Sequence, residues 1–202
     1  MSEASPMASW GLDNIAILAY GSLATDAGAD IEAHIVARIP CETPWPVEYA
    51  RRSSERGGAP TLVRHPVGGI VRSYLLVLDL TADQEATARQ WLRDREGKPP
   101  AERIRCQQLG GFRTVLYADL LANIPDYCMT AGSLASLAIN SVHTAPPGKN
   151  GVRYLSDNIR RGIITPLTEA YQAAILATTG AGSLEQAEQM AASHAGSAGA
   201  KE

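Results

Sequence analysis

The sequence is short of the residues that staple, charge or anchor a chain. Its three cysteines, Cys41, Cys106 and Cys128, are odd in number, widely spaced and without a CxxC pair. Neither a disulfide framework nor a zinc site is indicated, and three buried thiols in a reducing cytosol are expected. Excess charge of one sign is also absent, with 18 Lys and Arg against 21 Asp and Glu and a formal net charge of −3. Such a balance gives no general field for phosphates and argues against a dedicated nucleic-acid binder. No run approaches the roughly 18 apolar residues of a membrane span. The first twelve residues lack the basic-then-apolar order of a signal peptide. A cytoplasmic protein that neither enters a membrane nor binds nucleic acid is therefore expected. His34, His65, His143 and His194 lie in no metal-ligand spacing, and Gly57-Gly58, Gly68-Gly69 and Gly110-Gly111 match neither a dinucleotide fingerprint nor a phosphate loop. No metal and no cofactor are expected, and no G-x-S-x-G elbow offers a hydrolase serine.

What is present suits one globular domain: 202 residues, 45% apolar and 19% charged. A chain of that length buries roughly 70% of its unfolded surface and needs no staple. Met1 to Gly11 is small and polar apart from Trp10, and Gly180 to Glu202 holds 14 Ala, Gly or Ser in 23 positions. Both ends read as tails (residues 1–12 and 180–202) around a domain at residues 13–179. A short helix around Leu184 to Ala192 is expected to bury too little to hold.

Within the domain, Asn14 to Tyr20 is an apolar run stopped by Gly21, which suits a buried strand ending in a tight turn. Val47 to Arg51, Thr61 to Val63, Ile70 to Leu80 and Arg113 to Leu121 read as further strands of a sheet or small barrel. Thr81 to Glu96 changes period: Ala88, Trp91, Leu92 and Arg95 share a helical face, Thr81 with Gln84 forms a capping box, and Gly97 stops the helix. Ala131 to Val142 and Val152 to Gly162 read helical. Thr165-Pro166 is set to cap and open a last helix reaching about Thr178. Strands with one inserted helix, followed by helices, favour α+β over a doubly wound sheet.

Four places are candidates for chemistry. Tyr20-Gly21-Ser22-Leu23 ends the first strand, where a glycine turn can aim consecutive amides at a carboxylate or oxyanion, or can be an ordinary turn capped by Ser22. Glu96 falls at a helix C-terminus, where the macrodipole disfavours a carboxylate and so suits a general base; its plain alternative is an ion pair with Arg93 or Arg95. Tyr154, after the Pro146–Gly151 loop, either presents a hydroxyl to a pocket or packs in the core. Arg51, Arg52 and Arg56 are candidates for an acidic ligand or are exposed loop arginines.

In order along the chain, Ala19–Leu23 (AYGSL), Trp91–Glu96 (WLRDRE), Pro125–Tyr127 (PDY) and Pro146–Leu155 (PPGKNGVRYL) resemble the gamma-glutamylcyclotransferase-like family, closest to its ChaC-type, glutathione-acting branch. The resemblance spans about Ile15 to Gly162. It implies an α+β fold built on a small mixed β-barrel with flanking helices. It implies further that Tyr20, Gly21, Ser22 and Leu23 cradle the gamma-glutamyl group, that Glu96 is the general acid/base and that Tyr154 contacts substrate. The reaction it implies releases 5-oxoproline from a gamma-glutamyl amide and needs no cofactor. The chain departs from that branch after Glu96, where it reads Gly97-Lys98-Pro99-Pro100, and between Arg52 and Val63. Both stretches fall where the leaving group would lie, so the expected substrate is glutathione or another gamma-glutamyl amide. Two readings from other classes compete: a catalytically silent domain of the same fold that binds an acidic small molecule or peptide, and a protein-interaction domain using the Ala-rich tail.

Overall fold

The computed structural model describes residues 13–198. In chain order the strands are β1 (Asn14–Ala19), β2 (Ile35–Glu42), β3 (Val47–Ser53), β4 (Ala59–Arg64), β5 (Arg72–Thr81), β6 (Ile104–Leu109) and β7 (Phe112–Ala118). The helices are α1 (Ala29–Glu32), α2 (Glu85–Arg95), α3 (Ala131–Thr144), α4 (Gly151–Arg160), α5 (Thr168–Thr179) and α6 (Leu184–Ala198). Two compact units result: residues to 41 with Ser73–Asp119, and Glu42–Arg72 with the residues from Leu120 onward. The architecture is mixed α+β. No helix among the described residues is long and apolar enough to cross a membrane.

The first unit is a five-stranded mixed sheet in the order β2-β5-β1-β7-β6. β1 occupies its centre because NIAILA is apolar on both faces, and from Ile15 onward every residue of the strand is buried. It pairs antiparallel with β5 (Ile17 opposite Leu76) and parallel with β7 (Ile17 opposite Leu116). Ile15, Ile17, Leu76, Leu78 and Leu116 form a core with Ala88 and Leu92 of α2. Each of these larger side chains contributes about 1.5–3 kcal/mol through burial. The expected barrel does not close, because the sheet is open and ends on β2 and β6. β2 carries Pro40, which cannot donate to a ladder and is tolerated on an edge strand. β2 and β6 were not expected from the pattern at all. They alternate half-buried with exposed residues or are largely polar.

α2 starts and stops where its signals stand. Gln84 and Thr81 form the capping box, the Thr81 N–H donating to Gln84 Oε1 at 3.2 Å. At the other end the Lys98 N–H donates to Arg93 O (2.8 Å) and the Gly97 N–H to Asp94 O (3.3 Å), the paired bonds of a Schellman motif.

The second unit joins the antiparallel pair β3-β4 to helices α3–α6. Gly151, the first residue of α4, is required by close packing. A Cβ there would lie 2.8 Å from Ala138 Cα and 2.9 Å from Ala59 Cβ. Asn150 caps α4, its side chain accepting from the Arg153 N–H at 2.9 Å. The roles at Thr165 differ from the expectation: the Thr165 N–H donates to the Thr168 hydroxyl at 2.8 Å, and α5 starts three residues later.

The segment read as a C-terminal tail carries α6, and α5 is not the last helix. Small residues suffice there because Leu184, Ala187 and Ala191 are buried on one face. Polar contacts then fix the helix: Glu188 accepts from Asn150 (2.7 Å) and Arg153 (3.0 Å), and Glu185 accepts from the Ser156 hydroxyl (2.8 Å). The expected N-terminal tail lies outside the described residues. Nor are the thiols buried, since Cys106 is exposed and Cys41 and Cys128 are half-buried.

Hydrogen bonds from its own backbone N–H and from Ser156 hold the Glu185 carboxyl's pKa below its ordinary value. A depressed carboxyl stabilises the fold above its unfolded value and loses that contribution as pH falls through the folded one. Protection of the α6 amides, taken relative to the intrinsic exchange rate at each pH, is therefore expected to fall below about pH 4.5. Glu185→Gln should flatten that dependence; equal pH profiles for variant and wild type would remove Glu185 as the cause.

Candidate functional site

The turn after β1 is built on Gly21, whose φ of +59° is strained for any L side chain. The chain passes from extended Tyr20 straight into a 3₁₀ turn, Gly21–Ala24. The Ser22 carbonyl closes it, accepting from the Thr25 (3.2 Å) and Asp26 (2.9 Å) N–H groups. Leu23 and Ala24 anchor the turn in the core of the first unit, while Tyr20 and Ser22 stay half-buried.

Glu96 is the C-terminal cap of α2, its N–H still donating to Leu92 O at 3.0 Å. Beside it in sequence, Arg95 spends its guanidinium on both candidate elements. Nη1 donates to Glu96 Oε1 (3.1 Å) and Nη2 to Ser22 Oγ (3.1 Å), while Nε and Nη2 also donate to Asp26 O (2.9 and 2.8 Å). One side chain thus ties the general-base candidate to the glycine turn. Both partners of the ion pair are largely withdrawn from solvent, Arg95 at 16% and Glu96 at 15% exposure, which strengthens it relative to a surface pair. The guanidinium's positive charge offsets the negative end of the helix dipole at this position. Arg93, the other partner weighed from sequence, donates instead to Pro99 O at 2.8 Å.

The Arg95 stem also walls a cleft of about 190 Å³ together with Gly28, Ile31, Trp91 and Asp94. That is below the roughly 300 Å³ at which pockets for drug-sized ligands begin, so the cleft suits a small group. Trp91 stacks on His34 (centroids 4.7 Å apart), and His34 Nδ1 lies 2.7 Å from Asp79 Oδ1. Sequence reasoning gave no role to the α1 residues or to His34, and it met Arg95 on the inner face of α2, in the Trp91–Glu96 motif and as an ion-pair partner. The spacing of Arg95 next to a helix-terminal Glu was the available signal.

Tyr154 lies in the other unit, on α4, and is only 6% exposed. Its hydroxyl accepts from the Leu62 N–H at 3.4 Å, and its ring meets Tyr49 edge-on at 6.3 Å. Burial, with Tyr154 close by, pushes the Tyr49 phenol well above its ordinary value, so Tyr49 stays neutral. Pro125–Tyr127 leads into a 3₁₀ turn on which Tyr127 is 83% exposed. Among the described residues no group of three or more His, Cys, Asp or Glu is placed to hold a metal ion.

No protein-family model matches this chain, and no curated protein matches it either.

Arg95→Met is expected to release the turn. Three of its four hydrogen bonds hold Ser22 or Asp26, and losing charge-assisted bonds in a half-buried place costs about 1–3 kcal/mol. Hydrogen exchange should accelerate at Thr25 and Asp26 while the middle of α2 is unchanged. Unaltered exchange there would show that the turn holds itself without the guanidinium.

Proposed function

We propose that the chain is a gamma-glutamylcyclotransferase-type enzyme that releases 5-oxoproline from glutathione or another gamma-glutamyl amide, with Glu96 as general acid/base. The observation that carries the reading is the Arg95 guanidinium, bonded at once to Glu96 and to Ser22 of the Tyr20-Gly21-Ser22-Leu23 turn. Family membership is part of the proposal, and the turn's place at the end of the central strand supports it. The proposal further takes the chain as cytoplasmic, with a small-molecule substrate and no cofactor, membrane or nucleic-acid partner.

The substrate's α-amine attacks its own γ-carbonyl carbon. A new C–N bond closes a five-membered lactam, and the bond to the leaving amine breaks. Being intramolecular, the reaction already has most of its proximity advantage. What remains is proton traffic and charge: the α-nitrogen gives up one proton before attack and a second once the ring has closed, and Glu96 takes each in turn and passes it to the departing amine, which ends as an ammonium. The turn's amides hold the gamma-glutamyl group and the developing oxyanion. Tyr154 is a substrate contact by resemblance alone.

The test is mass-spectrometric detection of 5-oxoproline after incubating the full-length chain with glutathione and a panel of gamma-glutamyl amino acids and amines. Product is expected from at least one substrate, and its identity names the leaving group. Absence of product across the panel rejects the enzyme reading and favours a silent binding domain.

A further inference from the structure

Arg56 is held as a receptor is held. It ends a 3₁₀ turn, Ser54–Arg56, between β3 and β4. The Gly57 N–H donates to Ser54 O (3.1 Å), the Gly58 N–H to Ser53 O (2.8 Å), and the Thr144 hydroxyl clamps Gly57 O (2.8 Å). The turn is thus fixed to the end of α3. From it the Arg56 guanidinium lies over the face of the Tyr154 ring, 4.5 Å from its centroid, and Nη1 donates to Lys149 O at 3.2 Å. Stacking and one carbonyl bond set the guanidinium plane, so little rotamer freedom remains to be lost on binding.

The other edge of the fork, Nε with Nη2, meets no hydrogen-bond or ion-pair partner among the described residues. The half-buried Arg89 and Arg95 are matched to acids, Glu85 and Glu96, whereas Arg56 is not. Glu55, beside Arg56 in the same turn, makes no ion pair with it, and Glu188 of α6 is taken by Arg153 and Asn150. A pre-set guanidinium edge with two parallel N–H donors and one positive charge is complementary to one carboxylate.

We propose that the Nε/Nη2 edge of Arg56, stacked on Tyr154, is a recognition site for the carboxylate of a small organic acid. The site lies against Tyr154, the substrate contact expected by resemblance, and is tested by binding alone, so it stands or falls without turnover at Glu96. Because the Tyr154 face is covered by the guanidinium, a ligand approaching that face meets Arg56 first. A single cation presenting one edge favours a carboxylate over a phosphate dianion, which draws on several donors.

The test is an NMR titration of the full-length chain with glutarate, N-acetylglycine, their methyl esters and inorganic phosphate. It follows Arg56 Nε–H and the Gly57 and Gly58 amides. Saturable shifts with both acids and none with the esters are expected. Arg56→Lys, which keeps the charge but loses the fork, should weaken binding about tenfold. Arg56→Met, which keeps a stem over the ring, should abolish it while shifts elsewhere stay unchanged. Should Arg56→Met fail to fold, the Lys variant decides. No saturable response to the acids, an equal response to the esters, a response to phosphate alone, or undiminished binding in Arg56→Lys each overturns the proposal.

Discussion

Glu96→Gln is expected to remove 5-oxoproline formation almost completely while leaving the protein folded and able to bind its substrate. The two side chains are the same size, and the amide oxygen of Gln can still accept from Arg95 Nη1, which now holds Glu96 Oε1 at 3.1 Å. The tie from Arg95 to Ser22 and Asp26 does not involve position 96 and should persist. What Gln cannot do is carry a proton. Removal of a positioned general acid/base lowers turnover by a factor on the order of 10²–10⁴. The loss should fall on kcat, with KM and the directly measured Kd for glutathione changed only a few-fold, because the proton is moved in the transition state. A variant that turns over within a few-fold of wild type would strip Glu96 of its role. A variant that loses binding as well as turnover would make Glu96 a substrate contact instead.

The parts of this molecule that were legible from sequence are those whose local chemistry suffices. β1 is apolar on both faces and could only be a buried strand, and α2 carries its own start in Thr81 and Gln84 and its own stop in Gly97. The edges were not legible. β6, Ile104–Leu109, has one buried residue and is held by its ladder to β7, which no hydrophobic period announces. The barrel expected from resemblance failed at the same place, since closure is decided by edge strands. α6 was underestimated for a different reason. Its alanines bury little each, but Glu185 and Glu188 meet Ser156, Asn150 and Arg153, partners 29 to 38 residues away in sequence. Of the site, Gly21 and Glu96 were readable as a turn and a helix end. The guanidinium that joins them was not, because a hydrogen bond spanning 73 residues leaves no trace in local pattern.

Glu48→Ala is expected to be among the most destabilising single changes in the second unit, at about 3 kcal/mol. Glu48 falls between Val47 and Tyr49 in β3, where a half-buried strand would turn it to water. The strand is instead buried on both faces from Val47 to Ala50, and Glu48 has no exposed surface at all. Its carboxyl survives there because it accepts three hydrogen bonds: from the Tyr49 N–H (2.9 Å), the Thr165 hydroxyl (2.6 Å) and the Leu167 N–H (3.2 Å). Leu167 immediately precedes α5, so the carboxyl also lies at that helix's positive end. Alanine would open a cavity and leave donors without an acceptor, and a buried orphan donor costs more than the bond it once made. Glu48→Gln should cost less than Ala, since one oxygen remains, but its amide N–H groups would face donors on the other side. Thr165→Val removes one donor and should cost about 1–2 kcal/mol. Combined with Glu48→Ala it should cost less than the sum of the two, because both remove the same bond. Denaturant unfolding of the four proteins measures the cycle. Additive losses, or a Glu48→Ala cost below about 1 kcal/mol, would mean that water replaces the carboxyl without strain and that α5 holds its position by apolar packing alone.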